Sequence, residues 1–131
     1  MEREDLPLFI EWSHDLAFSG DFDWFPQLSK AEWTQKYDGL GPDAKWFFIE
    51  KKDGTKIGTM FTSSRAGNME LGYSLLPSER GKGHGTESIR IITDYLFLSK
   101  EIARVQAITD VDNFASQKAL ENNGFKKEGT I

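Results

Sequence analysis

Three glycines at alternate positions, Gly81, Gly83 and Gly85, sit in the segment Pro77-Ser78-Glu79-Arg80-Gly81-Lys82-Gly83-His84-Gly85-Thr86. Arg80 and Lys82 lie among them. Glycine has no Cβ, so successive backbone N–H groups can converge on one point and a ligand can approach the chain closely. A helix starting near Gly85 adds its unpaired N-terminal N–H groups and the positive end of its dipole. Such a segment makes a seat for a phosphate or pyrophosphate, although glycine spacing alone also suits a plain connector. Two familiar phosphate loops do not fit. A P-loop needs Gly-Lys-Ser/Thr, and here Gly83 follows Lys82. A dinucleotide fingerprint starting at Gly81 and Gly83 needs a third glycine where Thr86 stands, and it needs a parallel βαβ unit around it.

Composition narrows the chemistry further. The chain has 131 residues, 38% hydrophobic and 13% aromatic, with ten Phe and four Trp. That is enough for one ordinary core and excludes a disordered tail. There is no cysteine, hence no disulfide, thiolate metal site or cysteine nucleophile, and His14 and His84 are too few for a histidine metal cluster. No apolar run approaches the ~20 residues of a membrane span, and Met1-Glu2-Arg3-Glu4-Asp5 does not open a signal peptide. A cytoplasmic protein is expected. The net charge of −5 argues against nucleic-acid binding. Charge is uneven: residues 1–43 hold 10 acids and 3 bases, the remainder 11 acids and 13 bases. An acidic front and a mildly basic remainder suit a cationic group at one end and an anionic one at the other, as does ordinary scatter of solvated charge.

The elements that must position the loop follow from pattern. No repeat or linker breaks the chain, so residues 1–131 read as one domain. Asp5 caps a short helix with Leu6, Phe9 and Trp12 on one face and Pro7 in its first turn. Residues 18–26 read as an irregular loop. Ser29-Lys30-Ala31-Glu32 is a capping box, which predicts a second helix to about Tyr37. Residues 46–50, 56–62 and 69–76 read as three antiparallel strands, with turns at Lys52-Asp53-Gly54 and Gly67-Asn68. Pro77 stops the third. Apolar spacing at Ile89, Ile92, Leu96 and Phe97 predicts a helix from Thr86 to about Ser99. Residues 103–109 alternate like a strand, and residues 113–123 form a helix that Gly124 ends. Residues 125–131 are expected to start another strand. The fold class is mixed α/β (α+β).

Arg80, Gly83 and Gly85 form R-x-x-G-x-G after Leu75-Leu76-Pro77, and this resembles the acetyl-CoA loop of the GNAT family of N-acetyltransferases. Asn113-Phe114-Ala115-Ser116, followed by Gly124-Phe125, resembles that family's N-x-x-S…G-F helix and strand. Together the two pieces are specific, and the resemblance spans about residues 5–131. Glu70-Leu71-Gly72-Tyr73 and Arg80-Gly81-Lys82-Gly83 look most like the ribosomal-protein N-terminal acetyltransferase branch.

The resemblance implies a meander followed by a splayed parallel strand pair, with helices on both faces. It implies acetyl-CoA as cosubstrate, with its pantetheine arm along Tyr73, Ser74 and Leu75. Arg80, Gly81, Lys82, Gly83, His84, Gly85 and Thr86 would hold the pyrophosphate, His84 as spacer or phosphate contact. Asn113 and Ser116 would reach the arm's far side; Asn113 also reads as a helix cap and Ser116 as a packing residue. The implied reaction is direct attack of a primary amine on the thioester. Glu70 is the candidate base, and also reads as a surface carboxylate paired with a lysine. The acceptor would be a protein N-terminus, amino sugar, polyamine or amino acid. Asp15, Asp21, Asp23, Trp24, Phe25 and Trp33 would line its side, with core packing the alternative for the aromatics. Two features depart from the family. Leu120 stands where many relatives have a proton-donating Tyr, and the terminal edge strands are missing. A fragment or short form results, expected to dimerise through 125–131 with Phe125 and Ile131 exposed. A non-catalytic acyl-CoA-binding module, or a truncated domain dependent on a partner, is the rival expectation.

Overall fold

The computed structural model describes residues 1–15, 18, 27–41, 44–65, 68–99, 104–107 and 114–126, and opens with a 3-10 turn at Arg3–Asp5. Helix α1 is Leu6–Ser13 and takes Pro7 in its first turn, where a missing N–H costs nothing. Helix α2, Lys30–Asp38, starts at the expected capping box. The Glu32 amide donates to Ser29 Oγ at 3.1 Å, and the Ser29 amide donates to Glu32 Oε1 at 3.0 Å.

Four strands follow among the described residues: β1 Lys45–Glu50, β2 Lys56–Arg65, β3 Asn68–Leu75 and β4 Val105–Ala107. They lie in the order β1-β2-β3-β4. The first two junctions are antiparallel and the third is parallel, as the expected fold class requires. Helix α3, His84–Ser99, connects β3 to β4, and helix α4, Phe114–Glu121, follows. The second strand runs three residues beyond its expected end, and α3 starts two residues earlier than apolar spacing alone suggests.

Alternation along β1 sorts the layers. Trp46 and Phe48 pack against Leu6, Phe9, Ile10 and Trp33 of α1 and α2. The Phe9 ring meets Trp33 edge-on, with centroids 5.0 Å apart, and lies 5.2 Å from Trp46. Phe47 and Ile49 point the other way, onto a cluster of Met60, Met69, Leu71, Ile92 and Leu96. Thus α1 and α2 cover one sheet face and α3 the other. Helix α4 joins α3 through Ile89, Ala119 and Leu120.

Trp33 is buried at the α1–α2 contact, in keeping with the core-packing reading of the early aromatics. Two expectations at the C-terminal end need correction. Phe125 is half-buried against both α3 clusters, because the chain folds back after Gly124, with the Phe125 amide donating to the Leu120 carbonyl at 3.1 Å. It is not an exposed edge residue. Phe125 and Lys126 carry no strand, and residues 127–131 lie outside the described residues, as do Asp21, Asp23, Trp24 and Phe25.

Leu96 is 1% exposed at the α3–sheet contact, while Leu98, two residues on, is 88% exposed. Leu96→Ala is expected to lower the unfolding free energy by about 2–5 kcal/mol. Leu98→Ala should change it by less than about 0.5 kcal/mol. Urea denaturation of both variants checks the orientation of α3.

Candidate functional site

The glycine segment lies between the end of β3 and the start of α3. Its entry is fixed by the Leu76 amide, which donates to the Ile57 carbonyl at 2.8 Å. Pro77 then sets φ for a single 3-10 turn, Pro77–Glu79. The three glycines do not share one task. Gly81 and Gly83 adopt φ values of +77° and +83°, a left-handed conformation that disfavours any side chain. A Cβ at either position would find nothing within 4 Å, so the space above both is open. Gly85 has no such φ. A Cβ there would lie 3.2–3.5 Å from the Tyr73 ring, so this glycine lets α3 approach β3 closely.

The Glu87 amide donates to the Gly83 carbonyl at 3.1 Å, the first bond of the helix ladder. The N–H groups of His84, Gly85 and Thr86 precede it, at the positive end of a 16-residue helix. Left-handed glycines with open space above them, feeding a helix N-terminus beside Lys82, form a cradle that fits a pyrophosphate. Each side chain within it has a defined place. Arg80 reaches backward: Nε donates to the Leu75 carbonyl at 3.2 Å and Nη2 to the Phe18 carbonyl at 2.8 Å. These bonds tie the loop to the end of β3 and to the segment between α1 and α2. Lys82 is exposed.

Glu79 is the residue that sequence reasoning passed over. Its carboxylate receives Lys51 Nζ at 3.0 Å on Oε1, and faces His84 Nε2 at 3.4 Å and Lys82 Nζ at 3.7 Å on Oε2. The Lys51 hydrogen bond is the main cause that holds the Glu79 carboxyl below the usual carboxylate range, assisted by the charges of Lys51, Lys82 and His84 against the opposing effect of desolvation. The signal in the sequence was an acid among bases, but its main partner lies in the β1–β2 turn, 28 positions away. Asn123 was also missed. Its Nδ2 donates to the Thr86 carbonyl at 3.0 Å and to Ala119 at 2.9 Å, binding the end of α4 to the first turn of α3.

Strand β3 carries most of the remaining candidates along its length, Glu70 near its start and Tyr73, Ser74 and Leu75 at its end. Its parallel pairing to β4 runs over Met69↔Val105, Glu70↔Gln106 and Leu71↔Ala107 among the described residues, and β3 continues to Leu75. Glu70 is half-buried on the α1–α2 face, in register with Ser63 and Gln106. Tyr73 is on the α3 face, whereas Ser74 is buried on the opposite one, and Leu75 is buried too. Ser116 is half-buried in the first turn of α4, and Asn113 lies outside the described residues. Leu120 is 8% exposed and packs with Ile89 and Tyr73.

Comparison with known proteins gives the same fold. Residues 1–126 match the family described as acetyltransferase (GNAT) domain. An uncharacterized N-acetyltransferase, p20, of Bacillus licheniformis is 31% identical over 94 residues, covering 70% of this chain and 53% of that protein. The chain spans about half the length of several curated relatives it matches. A crystal structure of an aminoglycoside acetyltransferase in complex with coenzyme A superposes with a TM-score of 0.86 at 22% identity, covering all of this chain and 84% of that one. Spermidine N-acetyltransferase from Vibrio cholerae, in complex with CoA and spermine, superposes with a TM-score of 0.82 at 20% identity, covering 98% and 79%.

The ion-pair hub at Glu79 gives stability a pH dependence. A carboxyl whose folded pKa is depressed contributes stability above its unfolded value, near 4.5 for Glu. That contribution is lost as pH falls through the folded value. The difference in unfolding free energy between the native protein and Glu79→Gln should therefore be widest near neutral pH and close progressively below pH 4.5. Denaturant unfolding across that range measures it.

Proposed function

The chain belongs to the GNAT acetyltransferase family, and on that premise we propose that it transfers an acetyl group from acetyl-CoA to a primary amine by direct attack. The observation that carries the proposal is the pair of left-handed glycines, Gly81 and Gly83, opening onto the N-terminus of α3.

Acetyl-CoA supplies the activated acetyl thioester. The backbone from Gly81 to Thr86 receives the pyrophosphate, with Lys82 and His84 beside it, and Arg80 holds the loop to the end of β3. Tyr73, Ser74 and Leu75 flank the arm through main-chain groups, beyond the last parallel pair. Ser116 approaches from α4, and Asn113, outside the described residues, joins it on the family resemblance alone. The acceptor nitrogen attacks the carbonyl carbon, forming the C–N bond as the C–S bond breaks. A β3 amide polarises the carbonyl as negative charge develops on its oxygen. Glu70 takes the amine proton, directly or through a water, since most amines are protonated at neutral pH. The thiolate collects its proton from solvent, because Leu120 has none to give.

Finer assignments rest on narrower support. A protein N-terminus as acceptor, and the ribosomal-protein branch with it, rest on Glu70-Leu71-Gly72-Tyr73 and Arg80-Gly81-Lys82-Gly83 alone. The two solved structures described above carry the names of an aminoglycoside and a spermidine acetyltransferase. A cytoplasmic homodimer is part of the proposal. Its support lies on α3, where Ile91, Tyr95 and Leu98 are exposed at helical spacing along one stripe. The buried Leu120 favours a second reading, a non-catalytic acyl-CoA-binding module.

An acceptor screen that follows free CoA separates the two. Turnover on any primary amine supports the transferase, and cofactor binding without turnover on all of them supports the binding module. Glu70→Gln is expected to lower kcat by about 10²-fold or more, with the Michaelis constant for acetyl-CoA little changed. A kcat within twofold of the native enzyme removes Glu70 as base. CoA should also raise the melting temperature, as a native-state ligand must, and ATP or NAD should do so less. Gly83→Val should abolish that shift. The substitution adds about 1–2 kcal/mol of local backbone strain and meets no core atom.

A further inference from the structure

Phe61 lies on the sheet face that α1 and α2 cover, yet it is 44% exposed. Its in-register neighbour on β1, Trp46, packs into the α1–α2 cluster, and Thr59 on the same strand is buried. The helical cover therefore ends at Phe61. A single exposed Phe is ordinary by itself, but this one is built into the strand beside it. Phe61 pairs with Gly72 of β3, and its ring fills the place of the missing side chain: a Cβ at Gly72 would stand 2.2 Å from Phe61 Cε1 and 2.5 Å from Cζ. Glycine inside a strand marks a close approach of ligand or chain. Gly72 is also the first β3 residue past Leu71↔Ala107, the last parallel pair among the described residues. The ring thus lies beside the end of the described β3–β4 pairing.

Glu70 is on the same face, diagonal to Phe61 across the β2–β3 ladder, with Cβ atoms of such pairs roughly 7 Å apart. An aromatic face attracts cations, and a carboxylate nearby adds to the attraction. Residues 1–43, which supply the helices on this face, hold 10 acids and 3 bases.

We propose that the Phe61 ring over Gly72, with Glu70 beside it, is the acceptor subsite for an amine carrying a second positive charge: a small di- or polyamine. This rests on the acetyltransferase function above and names its substrate class. The reacting amine gives its proton to Glu70 while the second ammonium lies on the exposed ring face.

Two probes differ only in that second charge. 1,4-Diaminobutane ends in an ammonium where 1-aminopentane ends in a methyl group. The native chain should acetylate the diamine with a kcat/KM about fivefold or more above the monoamine. Phe61→Leu, which keeps apolar bulk without the π face, should collapse that ratio toward one. Phe61→Tyr should keep it, and Gly72→Ala, which pushes the ring aside, should reduce it. A ratio unchanged in Phe61→Leu, or equal to one in the native chain, overturns the proposal and leaves the ring as packing over a glycine. A second readout needs no turnover: the shift in melting temperature caused by diaminobutane in the presence of CoA should be lost in Phe61→Leu. Equal shifts in both proteins, or none in either, also overturn it. Stabilisation by CoA alone reports on the transferase function separately. If CoA stabilises and the diamine does not, the subsite fails and the cofactor site stands. If CoA does not stabilise, the cofactor site itself fails.

Discussion

Strand β3 is asked to do two things at once, and most of the molecule follows from that. On one side it pairs with β2 along its whole length, from Asn68 to Leu75. On the other its parallel pairing with β4 ends at Leu71 among the described residues. Antiparallel pairing along one edge fixes the register and with it which side chains face which layer. Met69, Leu71 and Tyr73 are thereby committed to α3, and Glu70, Gly72 and Ser74 to the opposite face. A one-residue slip would reverse every one of these assignments. The buried contacts of Met69 and Leu71 with Ile92 and Leu96 hold the register in place.

The loop after β3 inherits this precision. Leu76 is bonded to Ile57, Arg80 to Leu75, and Glu79 to Lys51 in the β1–β2 turn. Gly81 and Gly83 are consequently held as a cradle between fixed supports rather than left as a slack connector. The Glu79 carboxylate also offsets the charge of Lys82 and faces His84 Nε2, so both side chains are held together beside the cradle. Asn123 adds a brace from α4 to the first turn of α3.

What the sequence made legible was local. The Ser29–Glu32 capping box, the stop at Gly124 and the alternation that defines β1, β2 and β3 each depend on neighbours within a few positions. The shared mixed α/β class followed from their order. The glycine segment was legible as a candidate phosphate seat, but not as two left-handed glycines plus a third that admits the Tyr73 ring. That distinction depends on a strand ten residues away. Glu79, Asn123 and Phe61 were invisible for the same reason. Their partners Lys51, Thr86 and Gly72 are set by register and packing, which spacing does not encode. Phe125 was misjudged as an exposed edge residue because its burial comes from the return of the chain after α4, not from a strand.

The central claim is that the backbone from Gly81 to Thr86 seats the pyrophosphate of CoA while its arm runs beside the end of β3. The most direct measurement is a crystal structure of the chain with acetyl-CoA. It should show phosphate oxygens within hydrogen-bond distance of the amides at the start of α3, and the arm alongside residues 72–75 on the side of β3 that faces β4. Glu70 and the Phe61 ring should stand near the acetyl end. A complex in which the phosphates avoid this loop, or in which the arm lies away from β3, would contradict the account.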